Sequence, residues 1–296
     1  MFQAIKALLL ICSWIPLPVL HTLGRASGWV LANTPNRGRS TTRTNLRLCF
    51  AHKSQLQINE LSLRSLQNTS CTALEMGKAW VAPIEAILRL VTETQGLEQL
   101  QRDIKSGNGV ILLAPHLSNW EVFGPVVASH GIKSTFLYKP PKIEVMDRLL
   151  KSTRSRDNVN LAPATRAGVA VLLRALKAGE LVGILPDQVP ELDGGEYAKF
   201  FNQPALTMIL ASRLIQRTNA KVYCGFAKRL PNGKGFKMII MPADEKVYEN
   251  DLAQSVQGVS DSVQKCVEMA VDQYQWEYKR FRRQPDGREF YRNQSK

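Results

Sequence analysis

The sequence predicts an α/β fold: a single mixed-sheet domain flanked by helices, at 33–296, with an N-terminal helical membrane anchor at 1–32. Three observations carry that reading. A helix–glycine–strand unit occurs twice, at 96–114 and 168–185. A Pro231-Asn-Gly-Lys-Gly235 run separates two further apolar stretches, the pattern of a hairpin. The first 32 residues are mostly apolar and broken by Pro16 and Pro18.

From Ala7 to Leu23 the chain is uncharged, and an apolar patch resumes at Gly28 to Ala32. That run falls short of the roughly 20 apolar residues a span requires. Both a span and an interfacial helix therefore stay open. Arg25, Arg37, Arg39, Arg43, Arg47 and Lys53 follow without one acidic residue, as expected of a cytoplasm-facing flank beside anionic lipid. With 39 basic against 25 acidic residues the chain carries a formal charge of +14 and should attract an anionic partner. Nucleic acid is an unsupported partner, since no helix-turn-helix, zinc finger or aromatic-interleaved RNA motif accompanies the charge. The five cysteines are odd in number and scattered, which argues against a disulfide framework, and no paired spacing suggests a metal site.

Residues 57–92 read as helical by three- and four-residue apolar steps. Gly96 to Ser106 is a helix, Gly107-Asn108 ends it, and Gly109 to Ala114 is a buried strand by its unbroken apolar run. Gly168 to Ala178, Gly179 and Leu181 to Leu185 repeat the arrangement. Lys133 to Tyr138 is a further short strand. Lys221 to Lys228 and Phe236 to Met241 flank the hairpin turn, and a last helix spans 256–283.

Each helix–glycine–strand unit leads into a polar loop, Pro115-His116 in the first and Pro186-Asp187-Gln188 in the second. Open α/β sheets build their sites at such carboxyl ends of strands. In Ala114-Pro-His-Leu-Ser-Asn-Trp-Glu-Val-Phe-Gly124, Ser118 and Glu121 have capping-box spacing, so a helix should start near Ser118. That turn can fold Glu121 back onto His116, where a carboxylate would fix the tautomer and leave the other ring nitrogen to take a hydroxyl proton. By spacing alone, a cap at Glu121 and a loop filler at His116 serve equally well. His52 and His130 read as surface residues and His21 as an interfacial packing residue.

The His116-x4-Glu121 pattern after an apolar strand resembles the His-x4-Asp/Glu signature of the lysophospholipid acyltransferase superfamily. Further elements resemble its lipid A late acyltransferase branch, the lauroyl/myristoyl transferases. They are Asn119-Trp-Glu121, Tyr138-Lys139-Pro140, Arg156, Ala175 to Glu180, Asp187-Gln188, Phe200-Phe-Asn-Gln-Pro-Ala-Leu-Thr207, Tyr274-x-Trp276 and Arg280-Phe281. The resemblance implies a bacterial inner-membrane enzyme on the cytoplasmic face that moves an acyl chain from acyl carrier protein to a hydroxyl of a lipid A precursor, without cofactor or metal. His116 would be its general base, Glu121 the partner of His116, and Arg156, with Arg154 competing for that place, and Asp187 supporting residues. Lys139, Arg154, Arg156 and Arg166 are candidates to hold phosphate. Departures occur at Lys139, Asn202 and Tyr278, where the branch usually carries Arg, Gly and His. Another membrane lipid as acceptor, coenzyme A as donor, and an inactive membrane-binding protein on the same scaffold are the alternatives.

Overall fold

The computed structural model describes residues 2–138 and 158–291. Nine strands form two sheets among the described residues. β1 (Val91–Gln95), β2 (Val110–Leu113), β3 (Ser134–Tyr138), β4 (Val159–Pro163), β5 (Leu181–Ile184), β8 (Lys221–Arg229) and β9 (Phe236–Pro242) make a seven-stranded sheet in the order β1-β9-β8-β2-β5-β3-β4. Only the β8/β9 pair is antiparallel, so the sheet is mixed as predicted. β6 (Gly195–Phe200) and β7 (Gln203–Met208) form a separate hairpin.

Every residue of β2 and β5 is buried, because helices cover both faces. One face packs against α8 (Arg166–Lys177), α9 (Leu210–Thr218) and α10 (Leu252–Glu268) through Leu172, Leu214 and Val263. The other meets α6 (Leu97–Lys105) and α7 (Trp120–Ala128), and reaches Cys12, Leu17 and Leu20 of the first two helices.

Those two helices, α1 (Phe2–Trp14) and α2 (Leu17–Asn33), are split at Pro16, which has no N–H to continue a helix. Among the described residues no helix is long and apolar enough to cross a membrane. The pair docks instead on α4 (Gln55–Val81), with α3 (Arg37–Cys49) beside it. The docking uses small residues. A Cβ at Gly28 would lie 2.3 Å from the Gln67 Cα, and one at Gly24 would lie 2.7 Å from the Cys71 Sγ.

Three expected elements differ. The helical reading of 57–92 stops at Val81; Pro83 intervenes, a one-turn helix α5 (Ile84–Leu88) follows, and Val91–Gln95 is an edge strand. Its one charge, Glu93, belongs to a solvent-facing edge, where it pairs with Lys237 at 2.6 Å. The last helix ends at Glu268 rather than 283. Tyr274 and Trp276, two residues apart, both point into an aromatic cluster with Phe200, a period that extended chain satisfies and helix does not. Finally, α7 is capped by Asn119, whose side chain accepts from the Val122 N–H, and not by Ser118.

Candidate active site

β2 and β5 are parallel neighbours in register, Leu113 opposite Ile184. Three residues beyond each lie His116 and Asp187, so the register alone brings them together. His116 Nδ1 is 2.8 Å from Asp187 Oδ1, and the His116 backbone N–H donates to Asp187 Oδ2, also at 2.8 Å. Burial pushes the Asp187 carboxyl up, but the His116 charge, both His116 hydrogen bonds and the Arg280 guanidinium outweigh it and hold the group below its ordinary value. An ionised carboxylate only accepts, so Nδ1 carries a ring proton, and in the neutral imidazole Nε2 then keeps a lone pair. That lone pair accepts from the amide of exposed Gln188 at 3.2 Å. The imidazole is 12% exposed against 3% for the Asp187 side chain, and its ring stands edge-on to Trp120 with centroids 4.9 Å apart.

Asp187, not Glu121, therefore fixes the tautomer. Glu121 is buried in the first turn of α7 and accepts from the Trp120 indole at 3.2 Å. Tyr278 secures the loop behind Asp187, and Arg280 is anchored on β7. Buried Arg280 donates to the Leu206 carbonyl and Thr207 Oγ1, and the Tyr278 hydroxyl accepts from the Val189 N–H at 2.8 Å.

The turn after His116 is held from two sides. On one, Ser118 N–H donates to the Gln273 carbonyl and Gln275 N–H to the His116 carbonyl. On the other, Thr72 Oγ1 donates to the Ser118 carbonyl, and the Arg229 N–H donates to Ser118 Oγ. These bonds keep Ser118 at φ 56, a left-handed conformation that costs a non-glycine residue on the order of 1–3 kcal/mol.

Beneath the turn lies a buried charge network that sequence reasoning missed. The Glu75 carboxylate accepts from Arg229 Nε and Nη2 at 2.7 Å each, from Asn119 Nδ2 at 2.9 Å and from His21 Nε2 at 2.6 Å. His21 is thus a buried hydrogen-bonding residue rather than an interfacial packing one. The one signal in the sequence was a carboxylate among Ser, Thr and Cys on the inward stripe of α4, which is no recognised motif. Burial alone would raise the Glu75 carboxyl, but Arg229 and His21 bring it down from 4.5 to about 2. A folded-state value depressed this far stabilises the protein above the unfolded value, and that contribution is lost as pH falls through the folded one. Acid unfolding should therefore cost the wild type roughly 3 kcal/mol between pH 5 and pH 2 beyond what Glu75→Gln loses there. Denaturant titrations at both pH values measure it; equal acid sensitivity of the two proteins would contradict it.

Trp120, whose ring meets the imidazole edge-on, borders a cavity of about 610 Å³ between α7 and strands β3 and β5. Ala114 and Leu185 form its floor just past the strand ends, and Trp120, Glu121, Gly124 and Phe136 are among its walls. Most of its lining is apolar. Arg166 is exposed at the first position of α8, and Lys139, Arg154 and Arg156 lie outside the described residues. His52 and His130 are exposed. Among the described residues no group of three His, Cys, Asp or Glu side chains could hold a metal ion.

Residues 2–283 match the profile of the family described as bacterial lipid A biosynthesis acyltransferase. The chain belongs to that family. It is 26% identical over 279 residues to the lipid A biosynthesis lauroyltransferase of Escherichia coli strain K12, which covers 92% of this chain and 88% of the relative. The palmitoleoyltransferase of the same strain is 27% identical over 276 residues with the same coverage, and the myristoyltransferase 25% over 266 residues, 88% of this chain and 78% of the relative. As a lipid A acyltransferase family member, the chain carries two departures that the fold explains. Asn202 sits at φ 62 in the β6/β7 turn, and asparagine, like glycine, tolerates that conformation. Tyr278 uses its hydroxyl to fasten the loop carrying Asp187.

Proposed function

We propose that this enzyme transfers a fatty acyl chain from an acyl carrier protein thioester to a hydroxyl of a lipid A precursor, with His116 as general base. The observation that carries this is Asp187 on His116 Nδ1, which leaves Nε2 free to take a proton, with Trp120 joining the imidazole to the wall of an apolar cavity. Once the acceptor hydroxyl displaces Gln188, Nε2 takes its proton and the oxygen attacks the thioester carbonyl. The resulting imidazolium is stabilised by Asp187 and by Glu121 in the cavity wall. The tetrahedral intermediate collapses, the C–S bond breaks, and the thiolate leaves with the proton from Nε2. The positive end of α7 faces the developing charge. The cavity holds the acyl chain.

The N-terminal pair of helices supports membrane attachment at the cytoplasmic face without a span. Their outward side exposes Leu8, Ile11, Trp14, Val19, Leu23 and Trp29, with Trp14 85% exposed. A row of apolar side chains beside the arginines of α3 suits an interfacial helix on anionic lipid. Removing Ile11 and Trp14 from the lipid should forfeit about 3 kcal/mol, so Ile11→Glu with Trp14→Glu should weaken binding to phosphatidylglycerol vesicles by about 10²-fold. Co-sedimentation tests this, and unchanged binding would remove these helices from the interface.

The decisive assay incubates purified enzyme with radiolabelled acyl carrier protein or coenzyme A thioesters and, in parallel, a lipid A precursor, a lysophospholipid or an aminolipid. Labelling of the lipid A precursor from acyl carrier protein supports the proposal. Labelling of another lipid alone would replace the acceptor, and no labelling with intact His116 would point to an inactive scaffold.

A further inference from the structure

We infer that Glu75 and Arg229 are positioning residues for His116, a buried clamp that sets the angle of the catalytic turn and ties it to the N-terminal helices. The inference rests on the reading of His116 as the general base.

Neither residue approaches the imidazole in sequence or belongs to the polar loops at the strand ends. Glu75 lies in the sixth turn of α4 and Arg229 is the last residue of β8, and both are almost completely buried. The four donors on Glu75 come from two elements and one turn, so its carboxylate, itself on α4, is the point where α2, α4, β8 and the start of α7 meet. Two of those bonds bear directly on the turn. Asn119 spends its amide N–H on Glu75 and its carbonyl on the α7 cap, which fixes where the helix begins. Arg229 grips Ser118 through its backbone N–H, while its guanidinium braces Thr72, whose hydroxyl reaches the Ser118 carbonyl. Gln273 closes the frame by accepting from the Arg229 N–H and donating to its carbonyl.

A left-handed Ser118 persists only where its surroundings over-determine it. The residue that precedes it by two is His116, so any relaxation of Ser118 rotates the imidazole away from the acceptor. The network also carries the His21 ring from α2, whose other face is the apolar surface proposed to meet lipid. Seating of that helix and the geometry of the turn thus share one carboxylate.

A buried ion pair often contributes little net stability, and replacing both partners avoids an unpaired buried charge, leaving the His21 and Asn119 donors to lose a partner at about 1–3 kcal/mol each. Positioning and stability can therefore be separated. The test compares wild type, Glu75→Gln, the double variant Glu75→Leu/Arg229→Met, and His116→Ala. It measures melting temperature, kcat and KM for acyl transfer, and the ring nitrogen signals of 15N-histidine-labelled protein. The double variant is expected to stay folded and keep KM within about threefold while kcat falls by about 10²-fold, the scale of a misplaced catalytic group. The His116 ring signals should move from a single Nδ1–H tautomer to a mixture. Should the double variant fail to fold, Glu75→Gln is read by the same split between kcat and KM. Unchanged kcat with unchanged His116 signals in a folded variant overturns the clamp. Full turnover in His116→Ala would instead remove the general-base reading, while the ring signals still report on whether the clamp orients the imidazole.

Discussion

His116→Ala is expected to lower kcat by at least about 10²-fold, the usual contribution of a general base, with KM for the thioester little changed. The fold should survive, because the backbone N–H at this position still donates to Asp187 Oδ2. Losing the ring bond to a buried carboxylate costs about 1–3 kcal/mol of stability, a fraction of what a domain of this size possesses. Thermal unfolding and steady-state kinetics on one preparation separate the two quantities. Glu121→Ala is expected to reach a similar rate loss, although its carboxylate is hydrogen-bonded by Trp120 and the Nδ1 bond belongs to Asp187. If the carboxyl group at the cavity wall carries that effect, as proposed, Glu121→Asp should recover part of the rate. A folded His116→Ala protein turning over within about tenfold of wild type would end the general-base assignment.

The parts of this site that could be read from the sequence are those that a single strand or helix specifies. Val110–Leu113 and Leu181–Ile184 announce themselves as buried strands by unbroken apolar runs, and each is followed by its functional residue at the same distance. Pairing is a different matter. That His116 meets Asp187 follows from β2 and β5 being adjacent and in register, a relation between segments 71 residues apart that no local spacing encodes. The local alternative, Glu121 five residues away, was the more visible carboxylate for that reason. Glu75 and Arg229 were less visible still. A lone acid within a helix and a lone base ending a strand look like solvated charges until the fold buries both and brings them to 2.7 Å. The edge strand β1 and the hairpin of β6 and β7 escaped notice because their charged and proline-containing sequences carry little alternation. The N-terminal segment shows the limit of hydropathy as well. Its apolar length is legible, whereas Pro16 and the glycines that seat α2 on α4 decide that it lies along the protein.

Asp187→Asn should produce a larger rate loss than its small change in volume suggests, about 10³- to 10⁴-fold in kcat, as found where an imidazole loses the carboxylate that fixes its tautomer. The aspartate spends one oxygen on the His116 backbone and the other on Nδ1. An amide has a single oxygen. If that oxygen serves the backbone, the NH2 group faces Nδ1, which must then accept, and the ring proton moves to Nε2. The nitrogen meant to take the substrate proton is then occupied. If the amide turns the other way, the backbone N–H loses its acceptor in a buried site, at a cost of about 1–3 kcal/mol. In either orientation the imidazolium formed during transfer lacks the countercharge on Nδ1. The effect on stability has a defined pH dependence. The Asp187 carboxyl is depressed in the folded protein, so its stabilising contribution is present above the ordinary carboxylate value and disappears as pH falls through the depressed one. The stability gap between wild type and Asp187→Asn should therefore be widest at neutral pH and close in acid, whereas a purely steric defect would keep it constant. Ring 15N shifts showing Nδ1 still protonated in a variant that has lost its rate would shift the explanation from tautomer to charge. Retention of both the rate and the gap would detach Asp187 from the mechanism.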